Sequence, residues 1–271
     1  MLSDVIKKKE ALFHIIRTAG TEILKVYQSG HFQVKLKEDQ TPLTIADHKS
    51  NEVIIEGLKT LFPNIPFLSE ESRKTPYEER KEWDYFWLID PLDGTKEFIK
   101  RNDEFSVNIA LVHNNRPVLG LLYLPVLDIL YYAIQGLGAF KIDENNKKTK
   151  MPLHEIEHNQ KNDSIGIIFS KSHFTGETQK FVKKLQEKFT SVTRISVGSA
   201  MKLAYLAEGQ ADIYPRLAPT MEWDTGAGQI IIEEAGGKII DFNTKKPLVY
   251  NKKDLRNPWF IASNSRISAE S

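Results

Sequence analysis

The chain has no cysteine. Disulfides, thiolate metal sites and a cysteine nucleophile are excluded, and the absence fits a reducing compartment. It also lacks an excess of either charge. The 37 Lys and Arg against 36 Asp and Glu leave a formal net charge of +1. No global field argues for nucleic acid, so any charge-based recognition is local. A long apolar run is missing as well: Val118–Ile134 is broken by Pro125 and Asp128, a poor membrane span. The first residues hold Asp4, Lys7, Lys8, Lys9 and Glu10 where a signal peptide has its apolar core. Lys7–Lys9 reads as the solvated face of a helix, with contact to an anionic membrane surface as the alternative. The expectation is a cytoplasmic protein without an integral membrane segment, with peripheral contact at the inner face of the membrane left open. Gly136-x-Gly138 is not completed into a nucleotide-binding loop, no Gly-x-x-x-x-Gly-Lys-Ser/Thr occurs, and none of the seven histidines forms a His-Glu-x-x-His pair.

What is present is a soluble composition, 41% hydrophobic and 27% charged over 271 residues, enough for a substantial core in one or two domains. One stretch organises it. The apolar run Tyr85–Ile89 stops at Asp90, and Pro91, Leu92, Asp93, Gly94 and Thr95 follow. Proline is expected to end the strand pairing there. Two carboxylates at the end of a buried strand repel unless a cation or a proton intervenes, which points to a divalent-metal site. The alternative is an ordinary acidic turn, because Asp, Pro and Gly are turn formers.

Leu12, Ile16, Ala19, Ile23 and Val26/Tyr27 recur at helical spacing and predict a first helix stopped by Gly30. Alternation over Phe32, Val34 and Leu36 predicts an antiparallel strand or hairpin arm. Thr44-x-x-Asp47 resembles a capping box, and Ile54, Leu58 and Leu61 continue inward along its helix. Asp47 suits the dipole of that helix equally well as a metal role. Pro66–Leu68 is a second apolar segment ending in acids, Glu70 and Glu71. Residues 73–83 read as an exposed loop or short helix, long enough for a mobile flap. Lys96–Ile99 predicts a short helix, whose free amides beside a metal would form a phosphate site. Strands are predicted at Phe105–Leu111, Val118–Leu124, Ile129–Ile134 and Ala139–Ile142.

After the hydrophilic stretch Asp143–Asp163 the order changes to strand Ile165–Phe169, helix Glu177–Phe189, strand Thr193–Ser196, helix Ser199–Glu208, strand Ala211–Tyr214, helix Asp224–Ala235 and strands Lys238–Asp241 and Phe260–Ala262. The fold class is therefore α/β, with an α+β first half and an α/β second half. The boundary falls near residue 160. The domain 1–160 carries most of the expected metal ligands, and 161–271 carries substrate-binding residues and the last ligand.

That last ligand is Asp224, in Glu222-Trp223-Asp224-Thr225-Gly226-Ala227. Read alone it is an N-cap aspartate, although the small Gly226 and Ala227 would let another group approach. Glu70, Asp90, Asp93 and Asp224, with the Leu92 carbonyl, would make an all-oxygen cage preferred by magnesium, manganese or calcium over zinc. Four carboxylates suit two or more magnesium ions and two-metal phosphate ester hydrolysis. Haloacid-dehalogenase chemistry is excluded, because its two aspartates are two apart rather than three.

Glu70-Glu71, Asp90-Pro91-Leu92-Asp93-Gly94-Thr95 and Trp223-Asp224-Thr225-Gly226-Ala227 together resemble the inositol monophosphatase superfamily of lithium-sensitive, magnesium-dependent phosphatases, in order and over nearly the whole chain. Asp93–Ile99 is similar to the CysQ-type 3'(2'),5'-bisphosphate nucleotidase branch; inositol monophosphatases usually carry Thr-Asn where Lys96-Glu97 stand. Ser170-Lys171-Ser172-His173 is similar to the Ser-Arg-Ser-His of that branch. Lysine for arginine keeps the charge and loses the planar fork. Gly198–Lys202 and Tyr214-Pro215-Arg216 also fit.

The resemblance implies a layered αβαβα sandwich of the inositol monophosphatase and fructose-1,6-bisphosphatase type, with the metal site between the halves. It implies hydrolysis of the 3'-phosphate of 3'-phosphoadenosine 5'-phosphate to AMP, with the corresponding phosphosulfate as a further substrate. Two or three Mg2+ ions would be held by Glu70, Asp90, the Leu92 carbonyl, Asp93 and Asp224. Asp47, Thr95 and Glu70 would act on the attacking water. Gly94, Thr95, His173, Ser199, Lys202, Arg216 and Asp224 would bind the substrate. The partner is then a small bisphosphate nucleotide and not nucleic acid, and the protein a monomer or homodimer. An inositol or sugar phosphatase is the alternative enzyme, and a non-catalytic nucleotide or metal sensor the alternative class.

Overall fold

The computed structural model describes residues 1–37, 42–72, 75–152, 164–170 and 175–267. The N-terminal helices are α1 (Leu2–Lys7) and α2 (Lys9–Ser29), the latter closed by Gly30 in the left-handed conformation. A two-residue hairpin, β1 (Lys35–Leu36) with β2 (Pro42–Leu43), leads to α3 (Ile45–Leu61). The strand expected from Phe32 shrinks to those two residues. Phe32 instead packs its ring against Tyr27 and Phe98.

A seven-stranded sheet follows in chain order: β3 (Phe67–Ser69), β4 (Tyr85–Asp93), β5 (Ser106–His113), β6 (Arg116–Leu124), β7 (Ile129–Ile134), β8 (Gly138–Ile142) and β9 (Lys148–Lys150). All neighbours are antiparallel except β3 and β4. Two short helices interrupt it, α4 (Tyr77–Arg80) and α5 (Thr95–Lys100). No apolar signal marks β9, which pairs antiparallel with β8 and lays the Lys148 ammonium over the Phe140 ring at 4.1 Å. Of the exposed loop or short helix expected over 73–83, the short helix forms as α4, and its last residue corrects the expected exposure. Arg80 is only 3% exposed, and its guanidinium donates to Asn251 Oδ1 at 2.7 Å and the Lys252 carbonyl at 2.6 Å.

The second sheet is mixed, in the order β11 (Ser191–Val197), β10 (Ser164–Ser170), β12 (Ile213–Arg216), β14 (Phe260–Ser263) and β13 (Lys238–Asp241). Helices α6 (Gly176–Lys188), α7 (Met201–Glu208) and α8 (Glu222–Glu234) complete the chain. Residues 153–163, where the sequence places a domain boundary, lie outside the described residues, as do Lys171 and His173.

The layers follow from the two-residue period of the strands. In β4, Trp87 and Ile89 face Leu12, Ile16, Ile54 and Leu58 of α2 and α3. Phe86 and Leu88 face the opposite way, onto Trp223, Ala227, Ile230 and Ile231 of α8. The same central core takes in Ile168, Tyr214, Ile239 and Ala262 from the second sheet. On that sheet's outer face Ile165, Ile167 and Phe169 meet Val182 and Leu185 of α6. The order is thus helices, sheet, helices, sheet, helix: the expected αβαβα sandwich. Strands buried on both faces explain why β4, β5 and β6 read as nearly continuous apolar runs.

One glycine sets the spacing of the middle layer. A Cβ on Gly120 in β6 would stand 2.5 Å from the Ala227 carbonyl and 2.5 Å from Ile230 Cγ2. Gly120→Val should push α8 off the sheet and destabilise the protein by about 1–3 kcal/mol. A lower denaturation midpoint in urea checks this, and an unchanged midpoint would show that the layer can shift freely.

Candidate active site

The acidic turn is a bulge in β4. Asp90 pairs with Asn108 and Asp93 with Ser106, so Pro91 and Leu92 together oppose the single residue Val107. Proline therefore does not end the strand. It falls at the irregular step, where the ladder needs no N–H, and pairing resumes at Asp93. The Pro91 carbonyl accepts from Ser50 Oγ at 2.6 Å, and the Leu92 N–H donates to Asp90 Oδ1 at 3.1 Å. Gly94 follows at φ 93° as the N-cap of α5; a Cβ there would lie 2.9 Å from the Glu104 carbonyl. The short helix expected after Thr95 is present.

Two more elements end beside this bulge. The Glu70 N–H donates to the Ile89 carbonyl at 3.1 Å and extends the parallel pairing of β3 with β4. Asp224 is the third residue of α8, not its N-cap; its Oδ2 accepts the Met221 N–H at 2.9 Å. Carboxylate oxygens of Glu70, Asp90 and Asp224 lie within 4.8 Å of one another. Asp93 stands outside that trio. The Ala200 amide and the Lys202 ammonium both act on its carboxylate. The small residues after Asp224 serve packing: a Cβ on Gly226 would meet Leu88 Cδ2 at 2.8 Å.

Burial pushes the Asp90 carboxyl far above the ordinary range, and the charges of Glu70, Asp93 and Asp224 add to it. Asp224 is raised in the same way, by burial first and then by Asp93 and Glu70. Asp93 rises less, to about 6, since Lys202 and the Ala200 amide oppose its burial. Such a cluster of hard oxygen donors, each disfavoured as a bare anion, fits a divalent cation of the magnesium type.

Sequence reasoning missed Lys37. Its ammonium donates to Glu70 Oε1 at 2.6 Å and also to Glu71. Burial works against its charge, and the two carboxylates more than offset that. No pattern could have found it, because 33 residues separate it from Glu70.

Asp47 is buried, and both of its oxygens are engaged. Oδ2 accepts the Thr44 N–H at 2.7 Å and the Thr44 hydroxyl at 2.6 Å, so the expected capping box forms. Oδ1 lies 3.2 Å from Thr95 Oγ1, which is also 3.2 Å from the Leu92 carbonyl. The cap and the acidic turn are therefore one unit. Burial raises the Asp47 pKa, and the bonds from Thr44 and Thr95 hold it back.

A cleft of about 400 Å³ passes over Glu70, Asp90, Leu92, Asp93, Thr95 and Asp224. A pocket of about 110 Å³ adjoins it, lined by Ser199, Lys202, Tyr214 and Arg216. Asp93, Gly94, Arg216 and Asp224 line both. The Lys202 ammonium donates to the Val197 carbonyl at 3.3 Å and to the Ser199 carbonyl. Burial lowers its pKa to about 8, against the pull of Asp93. Arg216 gives one donor to the Pro219 carbonyl at 2.9 Å, while its buried Nε has no protein partner among the described residues. Each sequence-predicted residue lines one of these two cavities except Asp47, which lies behind Thr95, and His173, which is not among the described residues.

The profile of the inositol monophosphatase family matches residues 7–271. The chain belongs to that family. It is 40% identical over 252 residues to the 3'(2'),5'-bisphosphate nucleotidase CysQ of Salmonella typhimurium, covering 93% of this chain and 97% of that one. The protein of the same name from Escherichia coli K12 is also 40% identical, over 92% and 96%. Among solved structures, CysQ from Bacteroides thetaiotaomicron superposes with a TM-score of 0.85 at 42% identity, covering 96% of this chain and 98% of that chain. The family is one of metal-dependent phosphatases, in keeping with the carboxylate cluster. Among the described residues no helix is long and apolar enough to cross a membrane.

The raised carboxyl pKa values make stability depend on pH with a definite sign. In the metal-free protein the fold favours the protonated acids. Its penalty is absent below the unfolded value of about 4 and grows as pH rises through about 6. A divalent cation relieves that penalty only where the acids would otherwise be charged. Saturating Mg2+ should therefore raise the melting temperature several degrees more at pH 7.5 than at pH 5, and Asp224→Asn should shrink the difference. Equal shifts at both pH values would refute the assignment.

Proposed function

We propose that the protein is a Mg2+-dependent 3'(2'),5'-bisphosphate nucleotidase that converts 3'-phosphoadenosine 5'-phosphate to AMP and phosphate, with the phosphosulfate analogue as a further substrate. The observation that carries this reading is the pair of adjoining cavities. One is lined by carboxylates for metal and a scissile phosphate. The other is lined by Lys202 and Arg216, two cations suited to a second phosphate. A substrate with phosphates on both sides of a ribose fits both. The relatives at 40% identity bear the same activity in their names.

Glu70, Asp90, the Leu92 carbonyl, Asp93 and Asp224 would hold two or three magnesium ions. When bound, the metal supplies hydroxide near neutral pH and neutralises charge on the phosphoryl oxygens. The chain's own groups do the rest. Thr95 donates its hydroxyl proton to Asp47, which leaves its lone pairs to receive a proton from the attacking water. The free amides at the start of α5 face the phosphoryl oxygens and stabilise their growing charge. The unpaired Nε of Arg216 and the third N–H of Lys202 hold the second phosphate, and the Ser199 hydroxyl adds a further contact. His173 would lie beside the base. In this reading residues 1–160 bear most metal ligands and 161–271 the substrate groups, and the enzyme works in the cytoplasm as a monomer or homodimer.

Phosphate release from 3'-phosphoadenosine 5'-phosphate with Mg2+ is the direct assay. Cleavage of inositol 1-phosphate without turnover of the nucleotide would sink the proposal. Thr95→Ala and Asp47→Asn should each lower kcat by about 10²–10⁴-fold with near-ultraviolet circular dichroism unchanged. Activity within about twofold of wild type would remove the pair from the mechanism. Lys202 is charged below about pH 8 and neutral above it. The KM for the bisphosphate should thus rise as pH passes 8, and Lys202→Arg should flatten the profile.

A further inference from the structure

The pocket for the second phosphate contains an apparent contradiction. It is built to take an anion, yet the charges of Glu97 and Glu104 both act on Lys202 at its base. Glu97 lines the pocket; Glu104 lines neither cavity. A carboxylate beside an anion site raises the cost of binding unless it has another task.

Glu104 has one. Its Oε2 accepts the Gly198 N–H at 2.8 Å. Gly198 sits directly on it: a Cβ there would stand 3.0 Å from Glu104 Cβ, 3.0 Å from the Glu104 carbonyl and 2.8 Å from Glu97 Cγ. The next residue, Ser199, holds a left-handed φ of 44° without being glycine. Such a conformation persists only where its surroundings enforce it. Ser199 Oγ accepts the Met201 N–H at 3.3 Å, and the Ser199 carbonyl accepts from Lys202. Orienting the Gly198 amide therefore orients the Ser199 hydroxyl and the Lys202 ammonium together.

Glu104 is itself firmly delivered. Its N–H donates to Asn102 Oδ1 at 3.2 Å, and Asp103, at φ 67°, accepts from Tyr27 OH at 2.7 Å. Phe105 is fully buried in the aromatic cluster of Tyr27 and Phe98. The rigid α5–β5 loop thus presents one carboxylate to the turn that begins α7.

We infer that Glu104 is a positioning residue that sets the preference for bisphosphate over monophosphate nucleotides, by fixing the Gly198 amide and through it Ser199 and Lys202. This rests on the nucleotidase reading. The negative charge is tolerated beside an anion pocket because it is directed at a backbone donor and at Lys202, which it helps to keep charged.

The test compares KM for 3'-phosphoadenosine 5'-phosphate and for adenosine 3'-monophosphate in wild type, Glu104→Ala and Glu104→Gln. Glu104→Ala should raise KM for the bisphosphate about tenfold relative to the monophosphate, with kcat on both within about threefold. Glu104→Gln retains an acceptor for the Gly198 amide and should recover most of the ratio. Equal rises in both KM values, or a loss confined to kcat, would overturn the inference. Should Glu104→Ala fail to fold, Gly198→Ala presses a Cβ against Glu104 and Glu97, displaces the same turn and should change the ratio in the same direction; an unchanged ratio counts against the inference. Should wild type leave the bisphosphate uncleaved, the proposed function falls. Calorimetry with AMP then reads the turn by itself: a roughly tenfold weaker affinity in Glu104→Ala supports the role, and equal affinity refutes it.

Discussion

Carboxylates within 4.8 Å of one another repel, and in a low-dielectric cleft that repulsion is worth several kcal/mol unless protons or cations intervene. Glu70, Asp90 and Asp224 are held in that relation with Asp93 close behind. Burial of Asp90 intensifies the conflict. The protein meets it with cations on two sides: Lys37 on Glu70 and Lys202 facing Asp93. The remaining demand for positive charge is of the kind a divalent metal satisfies.

The layered architecture keeps these repelling groups together. Glu70 follows β3, Asp90 and Asp93 lie on β4, and Asp224 opens α8, which is clamped between the two sheets by Trp223, Ile230 and Ile231. The bulge at Pro91-Leu92 displaces Asp93 from the regular step and leaves the Leu92 carbonyl to accept from Thr95 Oγ1. Asp93 then faces the Ala200 amide and Lys202, so the acidic turn lies against the turn that begins α7. Glu104 joins them a second time, through its carbonyl beside Gly94 and its carboxylate on Gly198.

Much of this was legible in the chain. The helical period of α2, the alternation of β5 and the change to alternating strands and helices in the second half are local signals, and they were sufficient for the fold class; the layers came with the family resemblance. The capping box at Thr44 and Asp47 was legible because it spans three residues. Less was legible where a local rule met a tertiary one. Pro91 reads as a strand terminator, but the bulge removes the need for its N–H. The stretch after Arg73 reads as exposed, but Arg80 has its partners at Asn251 and Lys252. Phe32 alternates like a strand residue, but an aromatic cluster takes it.

The sequence by itself determined which oxygens would be available, because their motifs are short and each follows an apolar element whose burial is dictated by composition. It also determined the family and the fold class. Only the tertiary structure decided how those oxygens are divided: three in one cluster, and Asp93 turned toward Ala200 and Lys202. It likewise decided that Lys37 stands on Glu70 and that Glu104 meets the Gly198 amide. Coulomb forces and hydrogen bonds act over a few ångströms of space, whatever the separation along the chain. Partners 33 residues apart in one case and 94 in the other leave no periodicity by which to find each other before the layers close.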